Sequence, residues 1–455
     1  VRRAVVGFLV FAAWGCKNAD EASSPVTSQP ATAPAAPATV AAAAPVPPPS
    51  KPGLVEGGTV HPHHEEAVVE CPVQVPDPGE AAGSAGARGA RADEIDDDAR
   101  LSMLLDAAND QIDKANYAAA WTCADRAADL APQSVEAHHL RGAALAALGR
   151  DDEAQLAYSL ALALDPDDPE TLRAVGDFYI NGSGKAARGR DALRLGLELA
   201  QRGSRREVAR RRRNPALAAD LAVLEAQALD DLGRSDEALA RCDAALRMSA
   251  NRGDALHERG VALFDLSRFV EAKQAFTKAL TVQPDDAYTH QMYGLVLEEL
   301  GDQVGADAEL ARAVQLAPGE LFPAVMIDKA EFQKEIDAVL ATLPPDRRAR
   351  VHAIRIEVAD LPAGDDLAAV SPPFPPTILG LYRGPVGSGG GPVGAAGGHG
   401  SAADDPPSIV LYRKNLARAV KTRTELTEQI RDTLLHEIGH LEGLDEDDLR
   451  RRGME

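Results

Sequence analysis

The chain has 455 residues, enough for two or three folded units. Its net charge of −22 excludes a general nucleic-acid binder, which needs a basic face to displace counterions. Aromatic residues make up only 4% while alanine and leucine abound, a composition that suits close helix packing better than a large β-sandwich core.

The first 16 residues, VRRAVVGFLVFAAWGC, have the layout of an export signal. Arg2 and Arg3 precede an apolar run from Ala4 to Ala13 that is too short to span a bilayer. The run ends in Gly15-Cys16, which resembles a bacterial lipobox, although Ala13 and Trp14 depart from its usual residues. The resemblance implies lipidation of Cys16 and a cell-envelope protein on the periplasmic face of the outer membrane. Soluble secretion is the alternative. Residues 17–97 are rich in proline and alanine and predict a disordered linker, since they bury too little apolar surface to offset ordering entropy. His61, His63 and His64 in this linker read as solvated residues, with a mobile metal-loading site as the other possibility. Cys71, Cys123 and Cys242 remain if Cys16 carries lipid. No disulfide is expected among them, and Cys123 and Cys242 read as small packing residues of helices.

From about residue 101 a period emerges. Gly142 and Gly176 stand 34 positions apart, as do Gly260 and Gly294. Ala154, Tyr158, Ala161 and Pro166 align with Ala272, Phe276, Ala279 and Pro284, and again with Ala306, Leu310, Ala313 and Pro318. An earlier unit supplies Ala120, Ala124, Ala127 and Pro132. The pattern resembles the tetratricopeptide repeat, in which small residues let paired helices approach and proline stops the second helix. About 16 extra residues interrupt the period near 181–215 and carry Arg205, Arg206 and Arg210 to Arg213. This cluster reads as a solvated helix end or as a docking patch for an anionic partner.

Past Pro318 the pattern changes. A helix is expected around Phe332, Ile336 and Leu340, closed by Pro344-Pro345. Strand-prone runs follow at 351–358, 377–384 and 408–415, the last two separated by a glycine-rich loop in which His399 reads as solvated. A final helix is predicted from Thr422 or Thr424, where a threonine N-cap and a glutamate three residues on form a capping box.

That helix carries HEIGH, His436 to His440. An i, i+4 spacing sends both imidazoles from one helix face, as a tetrahedral zinc ion requires. Glu437 then reaches the water that the metal activates and serves as general base. Leu426, Ile430, Leu434, Ile438 and Leu441 form an apolar stripe, and each histidine points about 200° away from it at ~100° per residue. The histidines are therefore expected to face an open cleft. Gly443 can turn the chain back, which brings Glu446 to the third-ligand position, with Asp445 as its competitor.

Residues 322–455 resemble the small bacterial zincin-like metallopeptidases, sometimes called minimal zincins. LATLPPDRRARV, ILGLYRG, IVLYRKNLAR and TLLHEIGHLEGLDEDDL carry the likeness. The resemblance implies a compact α+β peptidase domain that binds zinc, with the strand near Leu379, Leu381 and Tyr382 beside the cleft. An extended substrate peptide is expected to pair there. Tyr382 or Tyr412 is a candidate to polarise the scissile carbonyl. The chain is thus read as multidomain, with an all-α tetratricopeptide solenoid (98–320) followed by a small α+β domain (322–455). The expected function is that of a membrane-tethered zinc peptidase whose repeats bind a protein or peptide partner. The alternative is a scaffold lipoprotein with a structural or inactive zinc domain.

Overall fold

The computed structural model describes residues 69–73, 97–182, 189–210, 213–352, 354–383, 408–442, 444 and 446–451. Cys16, His61, His63, His64, Arg211, Arg212, His399, Gly443 and Asp445 lie outside the described residues, as does the side chain of Glu446. Among the described residues no helix is long and apolar enough to cross a membrane.

The first part is built of helix hairpins: α1 (Asp97–Asp113) with α2 (Tyr117–Leu130), α3 (Val135–Ala147) with α4 (Asp151–Leu164), and α5 (Pro169–Asn181) with α6 (Arg190–Ala209). Three more follow: α7 (Pro215–Asp231) with α8 (Ser235–Met248), α9 (Gly253–Asp265) with α10 (Phe269–Val282), and α11 (Ala287–Glu299) with α12 (Gln303–Leu316). The repeated alanines explain the close pairing, since Ala120, Ala154, Ala272 and Ala306 are all fully buried. The repeated glycine accommodates the bulky residue of the partner helix. A Cβ on Gly142 would lie 2.6 Å from the Tyr158 ring, and one on Gly260 would lie 2.5 Å from Phe276. The connection inside each of the six hairpins has a described residue at positive φ: Ala115, Gly149, Gly189, Gly233, Ser267 and Gly301.

The interrupted third hairpin shows where the extra residues go. Its second helix, α6, has 20 residues where the second helices of the other hairpins have 14. Arg202 and Arg206 lie 2.8 and 2.6 Å from Asp167, and Arg210 lies 2.9 Å from Asp168. Of the arginine cluster, Arg206 and Arg210 are thus paired within the array.

The expectation of no disulfide is overturned. Cys71 is bonded to Cys123, and the two Cα atoms are 4.9 Å apart. The short segment around Cys71 is also held by hydrogen bonds, Thr122 Oγ1 donating to the Val69 carbonyl at 2.7 Å and Arg126 to that of Val73 at 3.2 Å. So residues 69–73, read as linker, pack on α2 beside Leu104 and Leu105. Cys123 is buried, but as a bonded residue, because its partner arrives from 52 positions away. Cys242 is buried and free, as expected of a packing residue.

The second part starts with α13 (Lys329–Thr342), capped by Asp328, whose carboxylate accepts from the Glu331 amide at 2.8 Å. Pro345 then opens α14 (Pro345–Val351), so the run expected as strand from 351 begins on a helix and becomes strand only at β1 (Arg355–Ala359). After the short α15 (Gly364–Leu367) come β2 (Gly380–Arg383), β3 (Ser408–Tyr412), α16 (Arg413–Arg418), α17 (Arg423–Leu441) and α18 (Glu446–Arg451). The sheet order is β1-β3-β2, with β1 parallel and β2 antiparallel to β3. Strand β3 is buried along its whole length, as its central place requires. Among the described residues strand β2 is an edge.

The two parts meet at α11 and α16. Glu298 is buried and accepts from Lys414 at 2.7 Å, with Arg418 at 2.5 Å. Burial opposes its charge, yet the Arg418 and Lys414 cations overcome this and hold its carboxyl below the usual range. Among the described residues the neighbouring Glu299 forms no such ion pair. Burial and the Glu298 charge push it up to about 7.

Candidate metal centre

Helix α17 starts at the predicted capping box. Thr422 Oγ1 accepts from the Glu425 amide at 3.2 Å, and Glu425 accepts in return from the Thr422 amide at 3.2 Å. From there the stripe Leu426, Ile430, Leu434 and Ile438 is buried against Phe332 and Ile336 of α13 and against Ile409 and Leu411 of β3. This packing fixes the rotation of the helix and hence the direction of its opposite face.

On that face the Nε2 atoms of His436 and His440 stand 3.1 Å apart, with the rings nearly perpendicular at 84°. Nδ1 of His440 is 3.1 Å from the Leu444 carbonyl, which can only accept. The proton therefore resides on Nδ1 and the lone pair of His440 on Nε2, turned toward His436. An ion bound tetrahedrally at ~2.0–2.1 Å holds two ring nitrogens about 3.4 Å apart. The observed pair fits that spacing closely.

One expectation needs correcting. His436 is 1% and Glu437 4% exposed, so these residues do not face an open cleft, and only His440 is partly accessible. The cover comes from two sides. Strand β2 lies on α17 so tightly that a Cβ on Gly380 would be 3.3 Å from Cγ of Glu437. Helix α18 folds back so that a Cβ on Gly439, between the two histidines, would meet Leu449 at 2.3 Å. The return is closed by the Leu444 amide, which donates to the Gly439 carbonyl at 3.0 Å. Glu446 opens α18, one helical turn before Leu449. Among the described residues, no three histidine, cysteine or carboxylate side chains converge on one point.

The expected substrate residues are distributed differently from the sequence reading. Leu379 is buried in the core, and its carbonyl accepts from the Tyr412 amide at 2.9 Å, so it is a packing residue rather than part of the cleft. Leu381 packs beside Leu367 and Val410. Tyr382 is half-buried, and burial raises its phenol pKa. Tyr412 is fully buried and donates to Asp366 at 3.0 Å, which removes it as a free carbonyl-polarising hydroxyl. Burial, then the adjacent Asp366, pushes its phenol well above the ordinary value.

Two residues of this site were missed from sequence. Asp366 accepts two bonds from Arg383, at 2.8 and 2.6 Å, besides that of Tyr412, and so ties the end of β2 to β3. Gly380 permits the contact between strand and helix. A glycine in a strand-prone run was the available signal for the second. Nothing in the sequence marks Asp366 as buried.

Residues 351–454 match the family of zincin-like metallopeptidases. Residues 135–168, and in a second family model 223–287 and 257–320, match the tetratricopeptide repeat. The chain thus carries a zincin-like metallopeptidase domain after tetratricopeptide repeats. Similar solved structures include Pseudomonas aeruginosa pilF, 15% identical over 53% of this chain and 99% of that one, with a TM-score of 0.41. PilW, a widely conserved type IV pilus biogenesis factor, is 16% identical over 48% and 96%, with a TM-score of 0.41. YrrB, a tetratricopeptide protein with an unusual peptide-binding site, is 17% identical over 43% and 93%, with a TM-score of 0.32. No curated protein matches the chain.

Proposed function

We propose that this chain is an exported, membrane-tethered, zinc-dependent peptidase whose repeats hold a protein partner or substrate. His436 and His440 hold the ion through Nε2, with Glu446 as third ligand and Asp445 as its competitor. Cys16 carries the lipid anchor. The facing Nε2 pair, 3.1 Å apart with the His440 tautomer set by a carbonyl, is the observation that carries the reading. When bound, zinc supplies a Lewis acid for the scissile carbonyl and lowers the pKa of water. Glu437, next to the pair, takes a proton from the attacking water and delivers it to the leaving amine. Burial of Glu437 keeps bulk water away from it. The edge of β2 offers backbone groups to an extended peptide. The Cys71–Cys123 bond supports export, because disulfides persist in oxidising compartments.

The test is zinc content and peptide cleavage in the wild type, Glu437→Gln and His436→Ala. We expect Glu437→Gln to keep its zinc and lose about 10²–10⁴-fold in cleavage. His436→Ala should lose both. Full cleavage by Glu437→Gln would sink the mechanism. The burial of His436 and Glu437 favours one other reading, a scaffold in which the ion is structural. Stoichiometric zinc with no cleavage, and a melting temperature that falls on chelation, would establish that scaffold instead.

A further inference from the structure

The first helices of the hairpins enclose a groove of about 1670 Å³. Val223, Leu224, Val261, Met292 and Leu295 give it an apolar strip. Beside the strip runs a polar ladder across three successive hairpins, Asn181 donating to Gln227 at 3.1 Å and Gln227 to Glu258 at 2.6 Å. The groove is also acidic, with Asp177, Asp220, Asp230, Asp231, Asp254 and Glu258 along it. Its repeat-borne cations are Arg173 and Arg252, and Arg252 is already paired with Asp220 at 2.5 Å and Asp254 at 2.7 Å. Midway, Asp230 and Asp231 are half-buried, and Oδ1 of Asp230 is buried with no hydrogen-bond partner among the described residues. Burial pushes Asp231 up to about 6, a cost that an arriving cation would offset.

The groove does not end at the repeats. Its far wall is α16, with Lys414 and Arg418 held by Glu298, and its last lining residue toward the sheet is Thr377. Asn415 pins that segment by donating to the Pro376 and Ile378 carbonyls at 2.8 Å each. Gly380, whose Cα faces Glu437, follows three positions later, at most roughly 11 Å of chain.

We propose that this groove holds an extended, lysine- or arginine-bearing segment of the substrate protein, cationic side chains facing Asp230, Asp231 and Glu258, and passes its next residues by Thr377 onto the edge of β2. The apolar strip and the side-chain ladder suit an extended backbone, and Asp230 and Asp231, which form no ion pair among the described residues, select its charge. The delivery half rests on the peptidase reading. The binding half does not.

The experiment uses full-length Glu437→Gln, so that nothing is cut, and fluorescent peptides about 12 residues long that alternate alanine with either lysine or glutamate. Anisotropy should show the lysine peptide binding at least about 10-fold more tightly, weakening with salt. The double substitution Asp230→Asn, Asp231→Asn should cost about 10-fold with an unchanged circular dichroism spectrum, as expected for neutral isosteres. A lysine peptide carrying a maleimide at either end should label Thr377→Cys, and the glutamate peptide should not. Equal binding of the two peptides, undiminished binding by the double variant, or equal labelling by both would overturn the inference. Selective binding together with a wild type that cuts nothing would instead remove the peptidase reading and leave the groove assignment intact.

Discussion

Gly380 and Thr433 stand so close that a methyl group on the first would lie 2.8 Å from Cγ2 of the second. At Gly380, strand β2 therefore rests on α17 by its backbone, and the same contact brings it over Glu437. We expect Gly380→Ala to lift the strand and cost about 1–3 kcal/mol, the usual penalty of overpacking. On the proposed reading, cleavage should fall more steeply than zinc binding, because His436 and His440 lie on the helix and the proposed peptide edge on the strand. Urea melts beside metal titration of the same variant would check this.

Glu298 joins the last repeat to α16, which leads from β3 into α17. Removing its carboxylate leaves Lys414 and Arg418 facing a buried gap. Glu298→Ala should lose about 3 kcal/mol, near the lower end for breaking a buried pair since both cations keep some solvent. Because the Glu298 pKa is depressed in the fold, its stabilisation is complete above the unfolded value and disappears as the pH drops below it. Protease nicking between Leu316 and Lys329 should accelerate in the variant, while an unchanged nicking rate would show that the contact does not hold the two parts together.

The array should grow less stable as the pH rises toward neutrality. Burial, then the Asp231 charge, pushes Asp265 up to about 7, and burial pushes Asp231 up to about 6. Asp230 beside them is raised as well, by burial and by Asp265, with Ser235 and Glu258 nearby. The folded form binds more protons than the unfolded form between about pH 4 and 7, so stability declines through that window. Asp265→Asn should flatten the decline and gain on the order of 2 kcal/mol at pH 8 relative to pH 5. Thermal melts of both proteins at the two pH values measure it.

The Cys71–Cys123 bond closes a long loop of the unfolded chain. Cys71→Ser is expected to lose about 2–4 kcal/mol. Reductant should bring the wild type down to the level of the variant and leave the variant unmoved. A variant as stable as the oxidised wild type would mean that the bond adds nothing to the repeats.

Local regularities were legible without coordinates. The 34-residue spacing of Gly260 and Gly294 encodes the hairpins, since these glycines receive Phe276 and Leu310 at the same offset on the paired helix, as Gly142 receives Tyr158. Thr422 with Glu425 marks the start of α17, because capping is settled within one turn. The i, i+4 histidines point together for the same reason: one helix geometry relates them.

What lay beyond reach involved groups brought together across the chain. Cys123 looked like any small packing residue until the segment around Cys71 arrived beside it. Leu379 sits in a strand-prone run whose sidedness depends on its partner β3, so pattern alone could not tell core from cleft. The burial of His436 and Glu437 is imposed by β2 and α18, which cover a helix face that helical periodicity leaves open. The elements and the pairing of the two imidazoles could be read from the chain, because they follow from backbone geometry over a few residues. What covers the site, which tyrosine hydroxyl is already engaged and where the groove leads emerged only on folding, because desolvation and charge pairing depend on residues distant in the chain.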